Sequence, residues 1–321
     1  MADGTVRAEG DDSLAIRAAW LHYAGGLTQA QVADRLNVSA AKAHRLIAAA
    51  NRSGAVKVTV VGEVAECAEL GSELSARFAL GTCEVVPDLG EPGLPLRALG
   101  AAGANFLKRE IDAAPDGVIG LGHGRTLGAS VEAMAPFDAR GLRFVSLMGG
   151  LARNLAANPH DVMHRMAQKT RAAAYVIPIP FFAASAADRE VLLSQPGVSD
   201  VFDLAASADL MAVGIGTTKP DAQLVESGMI GRAEIAEIQE RGGVGEVLGH
   251  FFAPDGAPIE TGLTARTVSL ERRRLAGRRI VAIAGGPEKV HAIRAVLHGG
   301  YVGGLVTDER TARSLLEESG G

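Results

Sequence analysis

The residues with the clearest chemical potential form a short run, GHGRT, directly after the apolar stretch VIGL. The run comprises Gly122, His123, Gly124, Arg125 and Thr126. Glycines let backbone N–H groups approach an anion, a helix beginning near Thr126 directs its positive end at the loop, and Arg125 and Thr126 add donors. The run therefore predicts an anion-binding loop. Every α/β protein has glycine-rich turns, however, so a turn without a ligand also explains it.

The run GGPEK repeats this arrangement later in the chain. Gly285 and Gly286 follow an apolar stretch, and Lys289 opens a helical one, where it could reach a phosphate. This run is likewise explained, when taken alone, as an ordinary turn between a strand and a helix.

A third candidate is the run HDVMH, in which His160 and His164 are spaced to share one face of a helix, as in the zinc motif H-E-x-x-H. Aspartate replaces the motif's glutamate, which shortens the reach of a general base, and the preceding NP pair marks a helix start, where polar residues are common. Cys67 and Cys83 have no partners at zinc or disulfide spacing. We therefore expect no metal, no other cofactor, and two idle thiols in a reducing compartment.

The elements that must position these loops are short aliphatic runs that end in glycine and are followed by amphipathic stretches. They read DGVIGLGHGRTLGASVEAM, RFVSLMGG, AAAYVIPIP, ADLMAVGIGTT, RRIVAIAGGPEKVHAIRAVLHGG and GLVTDERTARSLLEE. Apolar strands with little polar alternation, separated by helices, predict an α/β fold with a Rossmann-like parallel sheet covered on both faces. Ligands bind beyond the carboxyl ends of such strands, which is where these glycines fall.

Ahead of these strands, GLTQAQVADRLNVSAAKAHRLI has the spacing of a helix-turn-helix motif. A first helix is expected over residues 13–25, with Ser13 as its N-cap and two glycines at its end. Thr28 is expected to cap the second helix and Ser39 the third. Asn37 lies at the turn between them, where it enters the left-handed conformation at low cost.

The outward face of the third helix supplies the predicted contacts with DNA. Arg45 and His44 can donate to base edges or phosphates and Lys42 to a phosphate, while alanine methyl groups can touch thymine methyl groups. The residues predicted to contact DNA are Thr28, Gln29, Ser39, Ala40, Ala41, Lys42, His44 and Arg45. The alternative is an ordinary helical hairpin with a solvated basic face. Because one such motif has a small footprint, we expect a homo-oligomer, a dimer or tetramer.

The distribution of charge separates this segment from the rest of the chain. The net charge is −5, yet residues 13–60 contain six basic residues and one acidic residue. A basic module on an acidic body is typical of a DNA-binding head. We predict a DNA-binding domain over residues 1–61 and an effector-binding and oligomerisation domain over residues 62–321. The stretch AVKVTVVGEV near this boundary is expected to form a strand, either a wing or the lead into the second domain.

Neither a membrane nor export is indicated by the sequence. No run approaches the roughly 18 uninterrupted apolar residues of a membrane span. The acidic start, MADGTVRAEGDD, lacks the basic-then-apolar pattern of an export signal. We therefore expect a cytoplasmic protein.

Seven segments together resemble one family. They are, in order, GLTQAQVADRLNVS, VIGLGHGRTL, VSLMGG, ADLMAVGIG, GGVGEVLGHFFAPDG, IAGGPEK and LVTDERTA. Over nearly its full length the chain resembles the SorC/DeoR-type sugar-binding transcriptional regulators. Within that family, WLHYAGGLTQ, NPHDVMHRMAQKT and GHGRTLGASV are most similar to the erythritol-catabolism regulator subgroup.

The resemblance implies a winged-helix-like head and a body similar to the glucosamine-6-phosphate deaminase and ribose-5-phosphate isomerase fold. Such bodies bind a phosphorylated sugar or polyol and are commonly tetrameric. By matching motifs, the implied effector site comprises residues 122–126 together with Gly149, Gly150, Gly214, Gly216 and Lys289. The head departs from the family where Asn37 replaces the usual glycine and Ala43 the usual valine, which leaves its base preference open.

Since the same fold serves enzymes, a sugar-phosphate isomerase or deaminase with an incidental helical head is the alternative. The deaminase-like enzymes carry an acidic residue and a histidine just after the strand that here reads AVGIG. This strand is followed by Thr217, Thr218 and Lys219 instead. Binding loops without catalytic groups predict a regulator, not an enzyme. The expected function is repression of a sugar or polyol catabolic operon, through operator DNA, under control of a phosphorylated carbohydrate such as a tetrose or tetritol phosphate.

Overall fold

A computed structural model describes residues 4–56, 64–150 and 162–317, with side chains from Asp12 onward. The chain divides into two compact units, Met1–Val61 and Gly62–Gly321.

The N-terminal unit is a small helical module. Its helices are α1 (Gly4–Ala19), which continues into a π-helical turn (Trp20–Ala24), α2 (Gln29–Leu36) and α3 (Ala40–Arg52). They enclose a core of small and aliphatic side chains that includes Ala18, Val32, Ala43 and Leu46. Small alanines at the contacts let the helices approach closely enough to bury this core.

Local capping explains where α2 and α3 begin. Thr28 caps α2, and the Gln31 side chain accepts a hydrogen bond from the Thr28 N–H, so the two residues form a capping box. Ser39 caps α3 by accepting from the Lys42 N–H at 3.3 Å. Between the two helices Asn37 has φ 51° and ψ 49°, in the left-handed region as the sequence predicts.

The start of α1 differs from the sequence prediction, and the predicted strand near residue 60 is not described by the structure. Ser13 is not an N-cap, because α1 begins at Gly4 and passes through it without interruption. The local signal of a capping residue was overridden by continuation of the helix upstream. Most of the stretch AVKVTVVGEV lies in residues 57–63, outside the described residues.

The C-terminal unit alternates strands and helices along most of its length. The elements before the middle of the chain are α4 (Ala65–Phe78), β1 (Thr82–Val86), α5 (Leu96–Ala113), β2 (Val118–Leu121), α6 (Arg125–Ala133), β3 (Arg143–Gly150), α7 (Val162–Thr170), β4 (Ala173–Pro180), α8 (Ala186–Leu193) and α9 (Val198–Ala206). Then follow β5 (Leu210–Val213), β6 (Gly216–Thr217), α10 (Gln223–Glu226), α11 (Arg232–Glu240), β7 (Gly245–Val247), β8 (His250–Phe252) and β9 (Pro258–Ile259). The last elements are α12 (Gly262–Ala265), α13 (Arg272–Leu275), β10 (Ile280–Ile283), a 3₁₀ turn (Pro287–Lys289), α14 (Val290–His298), β11 (Gly304–Asp308) and α15 (Glu309–Leu316).

Seven strands form one parallel sheet in the order β1-β11-β10-β5-β2-β3-β4, which confirms the predicted α/β class. Successive residues of a strand face opposite sides, so one face buries Ile119 and Phe144 and the other buries Val118 and Val145. Helices α5, α6 and α7 contribute to the first core, and α4, α9, α14 and α15 to the second. Burial on both faces explains why these strands read as apolar runs.

Close helix packing on the first face depends on a glycine. A Cβ added at Gly103 of α5 would lie 2.1 Å from the Ser130 Oγ of α6. The missing side chain therefore lets α5 and α6 pack closely at Ser130.

The edge strand β4 departs from the predicted two-sided cover. Its residues Ala174, Val176, Pro178 and Pro180 are exposed. Proline lacks the N–H that a central strand must donate, so this strand suits a sheet edge.

A second sheet was not foreseen from the sequence. Strands β6, β7, β8 and β9 form an antiparallel sheet in that order. The β7–β8 hairpin turns through Leu248 and Gly249, both with positive φ, as a two-residue hairpin turn requires. This sheet carries one wall of the candidate site described next.

Candidate functional site

The order of strands in the parallel sheet creates a crevice at its centre. From β2 the chain proceeds outward to β3 and β4, and then returns to β5 on the other side of β2. Loops leaving the carboxyl ends of β2 and β5 therefore diverge, which is where open α/β sheets bind ligands. A cavity of about 300 Å³ lies there, lined by the loops after β2, β5 and β10, by α10 and by β7.

Arg125 and the start of α6 form one wall of the cavity. Gly124, with φ 131°, precedes the helix in a conformation that a side chain would strain. The first N–H groups of α6 have no partner within the helix, and its dipole presents positive charge at this end. Within the described residues, the half-buried Arg125 guanidinium makes no hydrogen bond or ion pair. This wall is suited to an anion.

Thr126 has a structural task at the same place. Its hydroxyl donates to the Ile283 carbonyl oxygen at 2.8 Å, and its side chain is 2% exposed. The bond ties the start of α6 to the end of β10. Thr126 thus lines the cavity, but its hydroxyl hydrogen is already engaged and does not add the free donor expected from the sequence.

Lys289 brings a second cation into the cavity from the turn after β10. Its Nζ donates to the Ile215 carbonyl oxygen at 2.6 Å. Burial and the Arg125 charge together lower the pKa of Lys289 from 10.5 to about 8, against the opposing charge of Glu246. Two cations thus line one cavity, a costly arrangement that a bound anion would relieve.

Glu246 on β7 faces this pair and was missed by reasoning from sequence. Its Oε1 accepts the Gly249 N–H at 2.6 Å. Burial raises the pKa of the Glu246 carboxyl from 4.5 to about 7, against the Gly249 hydrogen bond and the Lys289 charge. A Cβ at Gly216 would lie 2.3 Å from the Glu246 Oε2, so the glycine leaves space for the carboxylate. No local pattern marks this glutamate, because β7 reaches the cavity only through the second sheet.

Most of the residues predicted to bind an effector lie together. His123, Gly124, Arg125, Thr126, Gly214, Gly216 and Lys289 line the cavity. The structure does not bring Gly122, Gly149 or Gly150 to the described lining, and Met148 lines it instead.

The three remaining glycines have other roles in the sheet. The Gly122 N–H donates to the Ala212 carbonyl oxygen, which holds β2 against β5. A Cβ at Gly149 would lie 2.6 Å from the Pro180 carbonyl oxygen, so this glycine permits the close approach of β4. Gly150 is exposed at the end of β3 and accepts the Phe181 N–H.

The predicted DNA-contacting residues form one exposed group on the N-terminal unit. Exposed members are Thr28, Gln29, Ser39, Ala40, Ala41, His44 and Arg45, and Lys42 is half-buried. The His44 Nδ1 lies 3.2 Å from the Gln29 Oε1, which joins the starts of α2 and α3. Ser39 and Thr28 spend their hydroxyl oxygens on helix caps. Arg45 and the alanines at positions 40 and 41 are exposed on α3.

The histidine pair cannot be judged as a unit, because His160 lies outside the described residues. His164 contacts the Gln168 amide, with 2.9 Å between the His164 Nε2 and the Gln168 Nε2. Across the described ranges, no group of three or more His, Cys, Asp or Glu side chains is placed to hold a metal ion. In the same ranges, no helix has both the length and the apolar character needed to cross a membrane.

A helix-turn-helix unit followed by a parallel-sheet unit with a ligand cavity defines a class, the ligand-responsive transcriptional regulators. The sugar-binding domain family model matches residues 62–317. The chain belongs to this family.

Whole-chain relatives agree with the assignment. The chain is 57% identical to the erythritol catabolism regulatory protein EryD of Brucella abortus over 98% of this chain and 99% of that protein. It is 33% identical to the transcriptional regulator LsrR of Klebsiella pneumoniae, over 95% of this chain and 93% of that one. The full-length sorbitol operon regulator SorC of Klebsiella pneumoniae has a similar structure, with a TM-score of 0.73 and 25% identity over 95% of this chain and 98% of that chain. These proteins are transcriptional regulators. The present chain is likewise a transcriptional regulator and not an enzyme.

Proposed function

We propose that the protein represses a sugar or polyol catabolic operon and that a phosphorylated carbohydrate controls it by binding in the cavity. The observation that carries this proposal is the position of Arg125. Its guanidinium lies inside the cavity at the positive end of α6, beside Lys289, and has no hydrogen bond or ion pair within the described part of the chain. Two adjacent cations and free N–H groups at a helix start are the donors that a phosphate uses.

The similarity to EryD suggests the size of the carbohydrate. That relative is named for erythritol catabolism, and it matches this chain over nearly the whole length of both proteins. A cavity of about 300 Å³ is at the small end of the range for ligand pockets. A tetrose or tetritol phosphate is therefore the effector that we propose first.

The N-terminal unit is proposed to bind the operator through α3, with Arg45 and His44 at the bases and Lys42 at a phosphate. We propose that the protein acts as a homo-oligomer, a dimer or tetramer, because two heads are needed to meet two half-sites. A ligand that binds one arrangement of the bodies more tightly than another shifts the population between them, and the spacing of the heads changes with it. The operator affinity then falls.

The test measures binding of the full-length protein to DNA from upstream of its own gene, by fluorescence anisotropy at several salt concentrations. We expect salt-dependent binding that is weakened by a tetritol phosphate and not by the free tetritol. Arg45→Ala should weaken DNA binding and leave ligand affinity unchanged, with Arg52→Ala as the matched exposed control on α3. A wild-type protein that ignores every phosphorylated carbohydrate would show that the effector assignment is wrong.

Arg125→Ala gives the converse separation. It should lower ligand affinity by about 10- to 100-fold, because a charge-assisted contact contributes roughly 1.5–3 kcal/mol. Binding to DNA in the absence of ligand should be unchanged. Arg143→Ala is the matched control, since Arg143 is exposed at the opposite end of the sheet, at the start of β3. If the Arg125 variant responds to the ligand as the wild type does, the phosphate does not bind where we place it.

A further inference from the structure

The charges around the cavity are unevenly distributed. Among the described residues that line it, Arg125 and Lys289 are the arginine and lysine side chains. Both line the same cavity, Arg125 from the start of α6 and Lys289 from the turn after β10. Lys289 is further held by the Ile215 carbonyl oxygen at 2.6 Å. The cationic part of the cavity is therefore a single place, formed by the start of α6 and the turn after β10.

Carboxylates provide the remaining charge around the cavity. The acidic side chains among the described lining residues are Asp221, Glu226, Glu246 and Glu288. Asp221 is exposed two residues before α10, Glu226 is exposed as the last residue of α10, and Glu246 lies on β7. Glu288 is paired with Lys219 at 3.5 Å, so that carboxylate is partly neutralised. The remaining three carboxylates have no basic partner within salt-bridge distance in the described part of the chain.

We propose that the cavity selects a carbohydrate carrying a single phosphate and rejects bisphosphates, with Asp221 and Glu226 as the residues that set this preference. This inference rests on the proposed function, because it takes the phosphate to bind at Arg125.

Charge balance gives the physical reason. One phosphate dianion is matched by the two cations and by the N–H groups at the start of α6. A second phosphate at the other end of the same molecule would find no cation left and would stand near the α10 carboxylates. Like charges brought together at a binding site weaken the binding of the wrong partner. Many proteins build specificity in this way.

Glu246 is suited to the rest of a monophosphorylated ligand. Sugar and polyol hydroxyls are donors, and an ionised carboxylate is an acceptor with two oxygens. The Glu246 Oε1 already accepts the Gly249 N–H, which leaves the Oε2 for a ligand hydroxyl. A small cavity with one cationic place and an acceptor at Glu246 therefore fits a short polyhydroxy chain with a phosphate at one end.

The experiment is isothermal titration calorimetry of the full-length protein with four probes: a tetritol monophosphate, a hexose monophosphate, a hexose bisphosphate and inorganic phosphate. We expect the better monophosphate to bind on the order of 10-fold more tightly than the bisphosphate. The double substitution Asp221→Asn with Glu226→Gln should raise bisphosphate affinity by about 3- to 10-fold and leave monophosphate affinity within about twofold, as expected for exposed charges. Asp200→Asn with Glu240→Gln, two exposed carboxylates outside the cavity lining, is the matched control and should change neither.

Each outcome has a separate meaning. A bisphosphate that binds wild type as tightly as the monophosphates do would overturn this inference and leave the proposed function standing. A mono-to-bisphosphate affinity ratio that is unchanged in the double variant would overturn the role of Asp221 and Glu226. If no phosphorylated carbohydrate binds, both the proposed function and this inference fail. Melting temperatures of the variants, which should match that of wild type, show that altered affinity does not reflect unfolding.

Discussion

Glu246→Gln tests the electrostatic character of the cavity without any ligand. Glutamine keeps an oxygen that can accept the Gly249 N–H, a bond of 2.6 Å in the wild-type protein, and removes the charge. Burial raises the pKa of the Glu246 carboxyl to about 7, although the Gly249 hydrogen bond and the Lys289 charge both favour the ionised form. The ionised carboxylate is thus a cost to the folded protein, and the substitution should stabilise it wherever wild type is ionised.

The size of the expected gain in stability, and the pH range over which it develops, follow from the pKa of the Glu246 carboxyl in the folded and unfolded states. The folded carboxyl keeps its proton up to about pH 7, whereas the unfolded one releases it near 4.5. Between these values the folded state binds more protons, so this group's contribution to stability falls as pH rises. The difference corresponds to roughly 3 kcal/mol at about 1.4 kcal/mol per pH unit. Because the side chain is only partly buried, solvent screening reduces the expected gain to about 1–2 kcal/mol.

The assay is urea unfolding of the full-length protein at several pH values from 4.5 to 8. Trp20 is the single tryptophan and lies in the N-terminal unit, so its fluorescence follows that unit while circular dichroism follows the whole chain. The variant should match wild type at pH 4.5 and exceed its stability above pH 7, in the transition that tryptophan fluorescence does not report. Glu240→Gln, at an exposed carboxyl, is the control. The ionised Glu246 carboxylate does not destabilise the folded protein if the variant is less stable than wild type at pH 8. The same conclusion holds if the substitution changes the stability equally at pH 4.5 and pH 8.

Three further predictions concern Lys289 in the cavity, the contact between α5 and α6, and the turn at Asn37. Phosphate-ligand affinity should fall about tenfold between pH 7 and pH 9, because Lys289, with its pKa lowered to about 8 by burial, loses its proton there. Calorimetric titration of the phosphate ligand between pH 7 and pH 9 checks this fall in affinity. The Lys289→Met variant should bind the ligand weakly, and its affinity should change little above pH 7. Gly103→Ala should destabilise the C-terminal unit by about 1–3 kcal/mol, since its Cβ would lie 2.1 Å from the Ser130 Oγ. An unchanged urea midpoint would contradict it. Asn37→Val should destabilise the N-terminal unit by about 1–2 kcal/mol because φ is 51°, whereas Asn37→Gly should not, as read by Trp20 fluorescence.

Signals that act over a few residues were read correctly from the sequence. The caps at Thr28 and Ser39 and the left-handed turn at Asn37 each depend on groups within three or four positions. The parallel sheet was also predictable, since burial on both faces leaves apolar runs in the sequence. The prediction of Ser13 as an N-cap was wrong, because a capping residue marks a helix start only if the residues before it are not helical. Here α1 begins upstream, at Gly4.

The composition of the cavity was decided by tertiary structure. Local sequence patterns suffice to show that glycine-rich turns follow strands and that Arg125 and Lys289 stand at helix starts. They do not determine which turns meet, because that depends on the strand order, which places β2 beside β5 and β5 beside β10 through packing between distant segments. The same order sets Gly149 and Gly150 at the junction with β4, and the antiparallel sheet carries Glu246 to the cavity. Local sequence records the conformation of each segment, whereas the charge balance of a cavity arises only when segments far apart in the chain pack together.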